Sequence, residues 1–248
     1  MQISQDHPRY RSLIIRERMA AMMTEGIVSV TGLIAHGRGE AYDYLLGERT
    51  VPEAEAAEAA AAAMLVLAKR PMITINGNAA ALAAKELGEL SCASGAPMEV
   101  NLFHRSDERM AKVISFVEGE TGEKVLGRDQ GGILPGIASD RSRCTKEGLM
   151  AADVVLIPLE DGDRAEAMVK LGKKIISIDL NPLSRTNQEA TVSVVDEVTR
   201  AVPNITLWVK KLKGDPDQAR SVLANYQNKK NLASVMDRIC HELKEGHV

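Results

Sequence analysis

Short apolar runs alternate with segments of helical periodicity over most of the chain. Several runs are continuously apolar, such as "ADVVLIPL" at 152–159, which is expected of strands that lie between two layers of helices. This alternation is typical of parallel βαβ units. It predicts an α/β protein with a three-layer α/β/α, Rossmann-like fold and a mostly parallel sheet of about six strands. The predicted strands lie within 71–76, 97–103, 123–127, 152–159, 173–180 and 191–196.

The same pattern divides the chain into three parts of one structural unit. Residues 1–50 are predicted to form a helical segment that packs on the core and contributes to the site. Residues 51–213 form the predicted Rossmann-like core, and 214–248 form C-terminal helices. The longest irregular stretch is 128–147.

Several residues mark the boundaries of helices within the core. Pro52 suits the first turn of an alanine-rich helix, and Gly172 suits a helix end. Ser106 or Asp107 suits the N-cap of the helix after the second strand. Pro203 lies inside the helical pattern that follows the last strand, so it predicts a break or kink there.

Composition excludes several classes of function. The chain has 248 residues, a formal net charge of −3 and a pI of about 6.0, and phosphate neutralisation by a nucleic-acid-binding protein needs an excess of Lys and Arg. Cys92, Cys144 and Cys240 form no C-x-x-C pair, which favours a reducing cytoplasm over a disulfide framework or a zinc site. No run approaches the roughly 18 apolar residues of a membrane span. We expect a cytoplasmic protein that binds neither nucleic acid nor membrane.

Polar residues follow each predicted strand, in segments that we call the strand exits. All strands of a parallel sheet end at one edge, and ligands bind there. A solvated loop explains any single exit, but six polar exits on one edge favour a site for a polar ligand. The candidates at these exits are Asn76, Asn78, Asn101, His104, Arg105, Arg128, Asp161, Asp163, Arg164, Asp179, Asn181, Arg185 and Thr186.

The common nucleotide-binding motifs are absent. There is no G-x-x-x-x-G-K-[ST], and the missing G-x-G-x-x-G argues against a standard NAD(P) site. "AHGRGE" at 35–40 places Arg38 between two glycines. Such a segment can bring main-chain amides and a guanidinium to an anion, or it can be a Gly-flanked turn with an exposed arginine, and spacing does not decide between them. The histidines show no metal-ligand spacing.

The segment "ISIDLNPLSRT" ends the fifth predicted strand in a mixed set of polar groups. Asp179 can bond a ribose hydroxyl or hold a hydrated Mg²⁺, and Asn181 can read a base or carboxylate edge. Arg185 and the Thr186 hydroxyl can face a phosphate or carboxylate. Alternatively, Ser184 or Thr186 caps a following helix and Asp179 pairs with an arginine.

Longer motifs carry a family resemblance. "HPRYRSL", "GLIAHGRGEAYDYLLGERT", "NGNAAAL", "NLFHR", "VVLIPLEDGDRAEA" and "DLNPLSRT" resemble the archaeal phosphopantothenate synthetases, or 4-phosphopantoate–β-alanine ligases, from about residue 7 to 245. The resemblance implies ligation of 4-phosphopantoate to β-alanine in coenzyme A biosynthesis. It implies that ATP, with Mg²⁺, is split to AMP and pyrophosphate through an acyl-adenylate, and that the protein is a homodimer.

The resemblance also implies roles for individual residues. The nucleotide contacts would be Arg16, Arg38, Asp179, Leu180, Asn181, Arg185, Thr186, Glu197 and Val198. The candidates for binding the acid and the amine are Asn76, Asn78, Asn101, Arg105, Arg128, Asp163 and Arg164. Arg38, His104 and Asp161 are the catalytic candidates, and His104 or Asp161 would accept the proton of the amine. No residue is assigned as a protein ligand to a resident metal.

Two alternatives belong to other functional classes. The first is a non-catalytic nucleotide sensor that uses the same strand exits. The second, disfavoured by the absent glycine motif, is a Rossmann-like NAD(P) oxidoreductase.

Overall fold

A computed structural model describes residues 3–138 and 140–245. In this part of the chain the strands are β1 Pro71–Ile75, β2 Met98–Val100, β3 Val125–Leu126, β4 Gly132–Ile133, β5 Arg143–Cys144, β6 Val154–Pro158, β7 Lys174–Ile178 and β8 Val192–Val194. The α-helices are α1 Tyr10–Thr24, α2 Val30–Leu45, α3 Pro52–Leu67, α4 Gly77–Ser94, α5 Asp107–Thr121, α6 Gly162–Lys170, α7 Arg185–Glu189, α8 Val198–Leu212, α9 Pro216–Asn225 and α10 Asn228–Glu245. A 3₁₀ turn, Asp140–Ser142, and a π-helical turn, Lys146–Met150, lie between β4 and β6.

The main sheet confirms the six predicted strands. Its order is β3-β2-β1-β6-β7-β8, and each neighbouring pair is parallel. Alternate strand residues belong to different core clusters, as with Ile73 and Ile176 on one side and Val155 and Ile175 on the other. Both faces of the sheet are therefore covered, and the predicted three-layer Rossmann-like architecture is confirmed.

The stretch 128–147 contains a structure that the sequence did not predict. Strands β4 and β5 pair antiparallel as a separate two-stranded sheet. Each of these strands is two residues long, which is too short for an alternating pattern to show in the sequence.

The predicted helix boundaries are confirmed by their hydrogen bonds and dihedral angles. Pro52 is in the first turn of α3, and Ser106 Oγ accepts a hydrogen bond from the Arg109 main-chain N–H (3.1 Å) at the start of α5. Gly172 follows α6 with φ of 77°, the left-handed conformation that glycine adopts without a steric penalty.

The break predicted at Pro203 is wrong, because α8 continues through it. One face of α8, including Ile205 and Val209, is fully buried and packs with α3 and α4. Burial of such side chains stabilises by about 1.5–3 kcal/mol each, so several of them outweigh the roughly 3 kcal/mol cost of an internal proline.

The alanine-rich helix α3 packs against α8 and α9 with almost no exposed surface over its central turns. Ala57 and residues 60–63 are fully buried. Small side chains allow the neighbouring helices to approach closely, so the run is part of the core. Among the described residues, no helix combines the length and the apolar character needed to cross a membrane.

We expect Ala61→Leu to lower the free energy of unfolding by about 1–3 kcal/mol, because extra methylene groups do not fit a filled core. Ala56→Leu is the matched control, since Ala56 lies on the exposed face of the same helix. Urea unfolding measures both. Equal stability of the two variants would contradict the close packing of α3.

Candidate functional site

The strand order reverses between β1 and β6, and this switch point creates a crevice at the carboxyl edge of the sheet. Asn76 bridges the two strands there. Its Nδ2 donates to the carbonyl oxygens of Pro158 (3.0 Å) and Leu159 (2.9 Å). Its Oδ1 accepts from the Ala79 N–H (3.0 Å) and caps α4. Because both amide hydrogens are used inside the protein, Asn76 has no free donor for the ligand contact that the sequence suggested.

A cleft opens at this point, between α2 and the strand exits. It is lined by Ala35, His36, Arg38, Gly39, Asn78, Leu82, Leu159, Glu160, Asp179, Leu180, Asn181, Ser184, Glu197 and Val198. The predicted site residues that the structure brings together here are Arg38, Asn78, Asp179, Leu180, Asn181, Glu197 and Val198.

The turn after β7 is held by its own side chains. Asp179 Oδ1 accepts from the Asn181 N–H (3.0 Å), and Asn181 Oδ1 accepts from the Leu183 N–H (2.9 Å). Ser184 Oγ accepts from the Asn187 N–H (3.1 Å) and caps α7, as the alternative interpretation of this segment held. Burial raises the pKa of Asp179, while hydrogen bonds and the Arg38 charge oppose the shift.

Arg38 lies in the middle of α2, so both interpretations of "AHGRGE" as a loop or turn are wrong. The main-chain amides there belong to the helix, and the guanidinium is the group that can meet an anion. Arg38 is exposed and makes no hydrogen bond or ion pair within the described part of the chain. Leu180 approaches within 3.9 Å of the place that a side chain on Gly39 would occupy. This is an ordinary van der Waals distance, so α2 packs beside the β7 exit at Gly39 without a close approach that only glycine permits.

Two further groups of the cleft have pKa values shifted by burial. Burial lowers the pKa of His36, although the Glu40 charge opposes this, and His36 Nε2 has no hydrogen-bond partner in the described residues. Burial raises the pKa of Glu197, whose Oε2 accepts from the Thr199 N–H (2.8 Å) and caps α8. His36 lies in the candidate segment "AHGRGE" but was not selected, because a lone histidine is weak evidence for acid–base chemistry.

The β6 exit holds a cluster of buried charges centred on Glu160. Glu160 accepts from Arg164 (2.9 Å) and from Arg141 (2.7 Å). Asp161 also pairs with Arg141, and its Oδ1 caps α6 by accepting from the Arg164 N–H (3.0 Å). The catalytic candidate Asp161 is thus engaged in structural bonds.

Glu160 and Arg141 are site residues that the sequence analysis missed. Glu160 lines the cleft and belongs to the polar exit "EDGDR", so its position could have indicated it. Arg141 lies in the irregular stretch, where no pattern places it near the sheet. Its guanidinium lies 4.4 Å from the centre of the Phe103 ring, a cation–π contact.

The β2 exit contacts both α2 and the irregular stretch. His104 Nε2 and Thr31 Oγ1 are hydrogen-bonded at 3.0 Å, and the His104 ring packs edge-on against Phe103. Arg105 donates to Gln130 (2.8 Å) and Asp107 (3.1 Å). These side chains lie beside the cleft and do not line it.

Other predicted residues are engaged away from the cleft. Arg185 donates to Asp163 (2.7 Å) and Glu166 (2.9 Å) on α6. Arg128 makes two bonds to Glu118, each of 2.7 Å. In the structure their charges face these carboxylates.

Arg16 and Thr186 likewise have partners within the protein. Arg16 Nε donates to Glu40 (3.2 Å). The predicted ligand contact of the Thr186 hydroxyl is not supported, because this hydroxyl is buried and donates to the Glu160 carbonyl (2.8 Å). A main-chain contact of Thr186 stays a prediction.

Asn78, Asn101 and Arg164 also bond within the protein. Asn78 Nδ2 donates to the Gly32 carbonyl (2.8 Å) on α2, and Asn101 Oδ1 accepts from Arg164 (3.0 Å). Asn101 and Arg164 are buried, so only Asn78 of the three lines the cleft. Within the described ranges, no group of three or more His, Cys, Asp or Glu residues is arranged to hold a metal ion.

A buried carboxyl group on α3 contacts α8. Glu58 is 1% exposed, and burial, with the nearby Asp196 charge, raises the pKa of Glu58 to about 9. Asn204 donates to Glu58 (3.2 Å). Asp196 in turn accepts from Thr50 (2.6 Å) and Arg200 (2.9 Å), so this cluster joins α3 to the β8 exit.

Comparisons with known proteins agree on one family. The family profile described as Phosphopantothenate/pantothenate synthetase matches residues 53–242. A 4-phosphopantoate–β-alanine ligase of Methanospirillum hungatei is 54% identical over 213 residues, covering 86% of this chain and 87% of that protein. Ligases with the same name from Methanosarcina mazei and Thermococcus kodakarensis are 45% and 42% identical, and each comparison covers 98% of this chain and 96% of the relative.

We expect Glu58→Gln to become more stable relative to the wild type as pH rises. The proton on Glu58 favours the folded state, since its folded pKa of about 9 lies above the unfolded value of about 4.3. That stabilisation is complete below the unfolded pKa and is lost as pH rises through the folded one, by up to about 1.4 kcal/mol per pH unit.

Urea unfolding at several pH values from about 5 to about 9, which lie between the unfolded and folded pKa values of Glu58, measures the difference between variant and wild type. Glu17→Gln, at an exposed position of α1, is the control and should give a constant difference. A constant difference for Glu58→Gln would refute the protonated carboxyl.

Proposed function

Because the chain belongs to the phosphopantothenate/pantothenate synthetase family, we propose that it joins 4-phosphopantoate to β-alanine and splits ATP to AMP and pyrophosphate. The product, 4′-phosphopantothenate, would serve coenzyme A biosynthesis. The observation that carries the proposal is the cleft at the switch point, where the Asp179–Asn181 turn and Arg38, which has no hydrogen-bond or ion-pair partner among the described residues, line the same space. This arrangement suits a ligand with both hydroxyl groups and negative charge.

We assign the nucleotide to the end of the cleft formed by the β7 and β8 exits. Asp179 is placed to accept from ribose hydroxyls, and Arg38 to neutralise phosphate charge. Asn181 and the start of α8 at Glu197 would contact the rest of the nucleotide. Arg16 would join Arg38 at the phosphates after exchanging its bond to Glu40.

We assign the acid and the amine to the other end, near Asn78 and Glu160. The Glu160 carboxylate can accept from the ammonium group of β-alanine, while Arg105 and Arg141 offer positive charge to the phosphate and carboxylate of 4-phosphopantoate. His104 is the remaining candidate to accept the amine proton, since Asp161 is engaged with Arg141 and α6.

The reaction needs positioning more than it needs a protein nucleophile. The carboxylate of 4-phosphopantoate attacks the α-phosphorus of ATP, and pyrophosphate leaves with the electrons of the broken P–O bond. The β-alanine amine then attacks the acyl carbon, loses a proton and expels AMP. Alignment and charge neutralisation account for most of the catalysis expected of such a site.

Mg²⁺ would enter with ATP. This ion keeps several waters and uses one or two carboxylates beside phosphate oxygens, so it does not need a three-residue protein cluster. Asp179, at the nucleotide end of the cleft, is the lining carboxylate that would hold it. When bound, it would supply positive charge to the phosphates.

Incubation of the purified protein with ATP, 4-phosphopantoate and β-alanine tests the proposal. AMP, pyrophosphate and 4′-phosphopantothenate should form in equal amounts. ADP and phosphate would reject the adenylate route, and tight ATP binding without turnover would identify a nucleotide sensor. Binding of NADH in place of ATP would indicate an oxidoreductase.

We expect Arg38→Ala to raise the KM for ATP at least tenfold, because a charge-assisted hydrogen bond is worth about 1.5–3 kcal/mol. The melting temperature should stay unchanged, since Arg38 has no partner in the described chain. Arg70→Ala is the matched control: Arg70 is exposed just before β1, at the opposite edge of the sheet. Equal KM values for the two variants would remove Arg38 from the nucleotide site.

We also propose that the protein is a homodimer that pairs through α2. Val30, Ile34 and Tyr44 of this helix are 64%, 68% and 44% exposed. Residues spaced in this way share one helix face, and a contiguous exposed apolar face of this kind is typical of an interface. Since Arg38 belongs to the same helix, such an interface would lie beside the cleft.

Ile34→Glu should convert the dimer into a monomer in size-exclusion chromatography with light scattering, because a charge cannot be buried there without a partner. Leu207→Glu is the control, since Leu207 on α8 is exposed to a similar degree, 65%. A monomeric wild type, or a dimeric Ile34→Glu, would contradict the interface.

We place the reaction in the cytoplasm. Cys92, Cys144 and Cys240 are free thiols in the structure, and free thiols suit a reducing compartment.

A further inference from the structure

Glu99 of β2 is a fully buried carboxyl group with four hydrogen-bond donors around it. Oε1 accepts from the Thr145 N–H (3.0 Å) and from Asn101 Nδ2 (3.2 Å). Oε2 accepts from the Thr145 hydroxyl (2.6 Å) and the Leu149 N–H (2.8 Å). Burying a carboxylate is costly unless its oxygens are satisfied, and here each oxygen accepts twice. The side chain therefore holds the 145–149 segment against the sheet.

Gly148 shows how closely that segment is held. A Cβ on Gly148 would lie 2.3 Å from Glu99 Oε2 and 2.2 Å from Thr145 Oγ1. Real Cβ atoms do not approach other atoms so closely, so the contact requires glycine. Thr145 Oγ1 also accepts from the Gly148 N–H (3.0 Å), which begins the π-helical turn.

One set of contacts runs from Glu99 to the cleft through this segment. Thr145 is four residues after Arg141, and Asn101 Nδ2 donates to the Arg143 carbonyl between them (3.3 Å). Arg141 Nη2 donates to Glu160 Oε1 (2.7 Å). Glu99 thus fixes the main chain that carries one of the two arginines bound to Glu160.

A second set of contacts reaches the same residue from the other side. Asn101, which donates to Glu99, accepts at Oδ1 from Arg164 Nη2 (3.0 Å). Arg164 Nη1 donates to Glu160 Oε2 (2.9 Å). Both oxygens of Glu160 are therefore held by arginines that Glu99 positions, and Glu160 lines the cleft.

We propose that Glu99 is a positioning residue that sets the orientation of Glu160, and hence the end of the cleft assigned to the acid and the amine. This inference rests on the proposed function. Glu99 itself touches no substrate. Because arginines hold both oxygens of the Glu160 carboxylate, this group cannot rotate. It is therefore oriented to accept from the β-alanine ammonium group before that substrate binds. Loosening of the 141–149 segment would release Glu160 from Arg141.

Glu99→Gln tests the proposal, because the amide NH₂ would face two donors in place of an acceptor. We expect the KM for 4-phosphopantoate or for β-alanine to rise at least fivefold, while the KM for ATP stays within twofold. The nucleotide end is spared because the β7 exit makes no contact with Glu99. Unchanged KM values, or an equal rise in all three, would overturn the proposal.

Val100→Ala separates positioning from loss of stability. Val100 is the next residue of β2, is fully buried and belongs to the core on the opposite face of the strand from Glu99. The variant should melt at a lower temperature with all three KM values unchanged. If it raises the same KM as Glu99→Gln, general destabilisation explains both results.

Thr145 provides the conservative comparison. Thr145→Val removes the hydroxyl that donates to Glu99, and it should reproduce the KM change. Thr145→Ser keeps the hydroxyl and should restore the wild-type value. A Thr145→Val enzyme with wild-type KM values would show that the segment does not act through Glu99.

Amide hydrogen exchange, measured without substrates, tests whether Glu99 holds the 145–149 segment independently of catalytic activity. In Glu99→Gln, the Thr145 and Leu149 amides should exchange at least tenfold faster than in the wild type, with the β7 amides unchanged. A wild type without ligase activity would overturn the proposed function, and exchange would then decide whether Glu99 holds the segment. Unchanged exchange would reject Glu99 as the anchor.

Discussion

The two halves of the sheet meet at β1 and β6, and the Asn76 side chain joins their carboxyl ends. Its two donated bonds reach the carbonyls of Pro158 and Leu159, and its oxygen begins α4. Leu159 has a φ of 54°, a left-handed conformation that costs roughly 1–2 kcal/mol for a residue with a side chain. The bond from Asn76 and the bond from the Leu159 N–H to Ile178 (3.0 Å) offset this strain. The chain is thereby redirected so that Glu160 lines the cleft.

Charge in the cleft region is mostly balanced inside the protein. Arg141 and Arg164 bind Glu160, Arg185 binds Asp163, and Arg128 binds Glu118. The Arg185 and Arg128 pairs are solvent-exposed and contribute little to stability. The two pairs of Glu160 are buried; such pairs add little net stability compared with apolar packing, but removing one partner is costly. They therefore fix geometry. Arg38, without such a partner in the described chain, is the arginine that can meet an anion with no bond to break.

The sequence predicted the sheet well because its signal is local. The strands are continuous apolar runs, and the helices begin and end at residues such as Pro52 and Gly172, whose preferences need no tertiary contact. Packing decides the cases that failed. Pro203 is tolerated because α8 is buried along one face, and the glycines beside Arg38 are tolerated inside α2.

The candidate site was only partly predictable for a similar reason. Asp179, Asn181 and Arg38 stood out because polar residues beside strand ends and glycines mark a binding edge. Arg141 did not, since its place depends on Glu99, about forty residues earlier in the sequence, and no local pattern reports such a contact. Thr186 was predicted to contact a ligand, but its hydroxyl donates to the main-chain carbonyl of Glu160. This carbonyl is distant in sequence and comes near Thr186 only in the folded chain.

The contact between Gly148 and Glu99 also restricts how this part of the protein can evolve. Any side chain at 148 would collide with the carboxylate, and a residue shorter than glutamate at 99 would leave the Thr145 and Leu149 amides without their acceptor. A substitution at position 99 or at position 148 alone would therefore disrupt the packing of the 145–149 segment. Related chains should therefore either keep both residues or show them replaced as a pair, a correlated substitution between positions that are far apart in sequence.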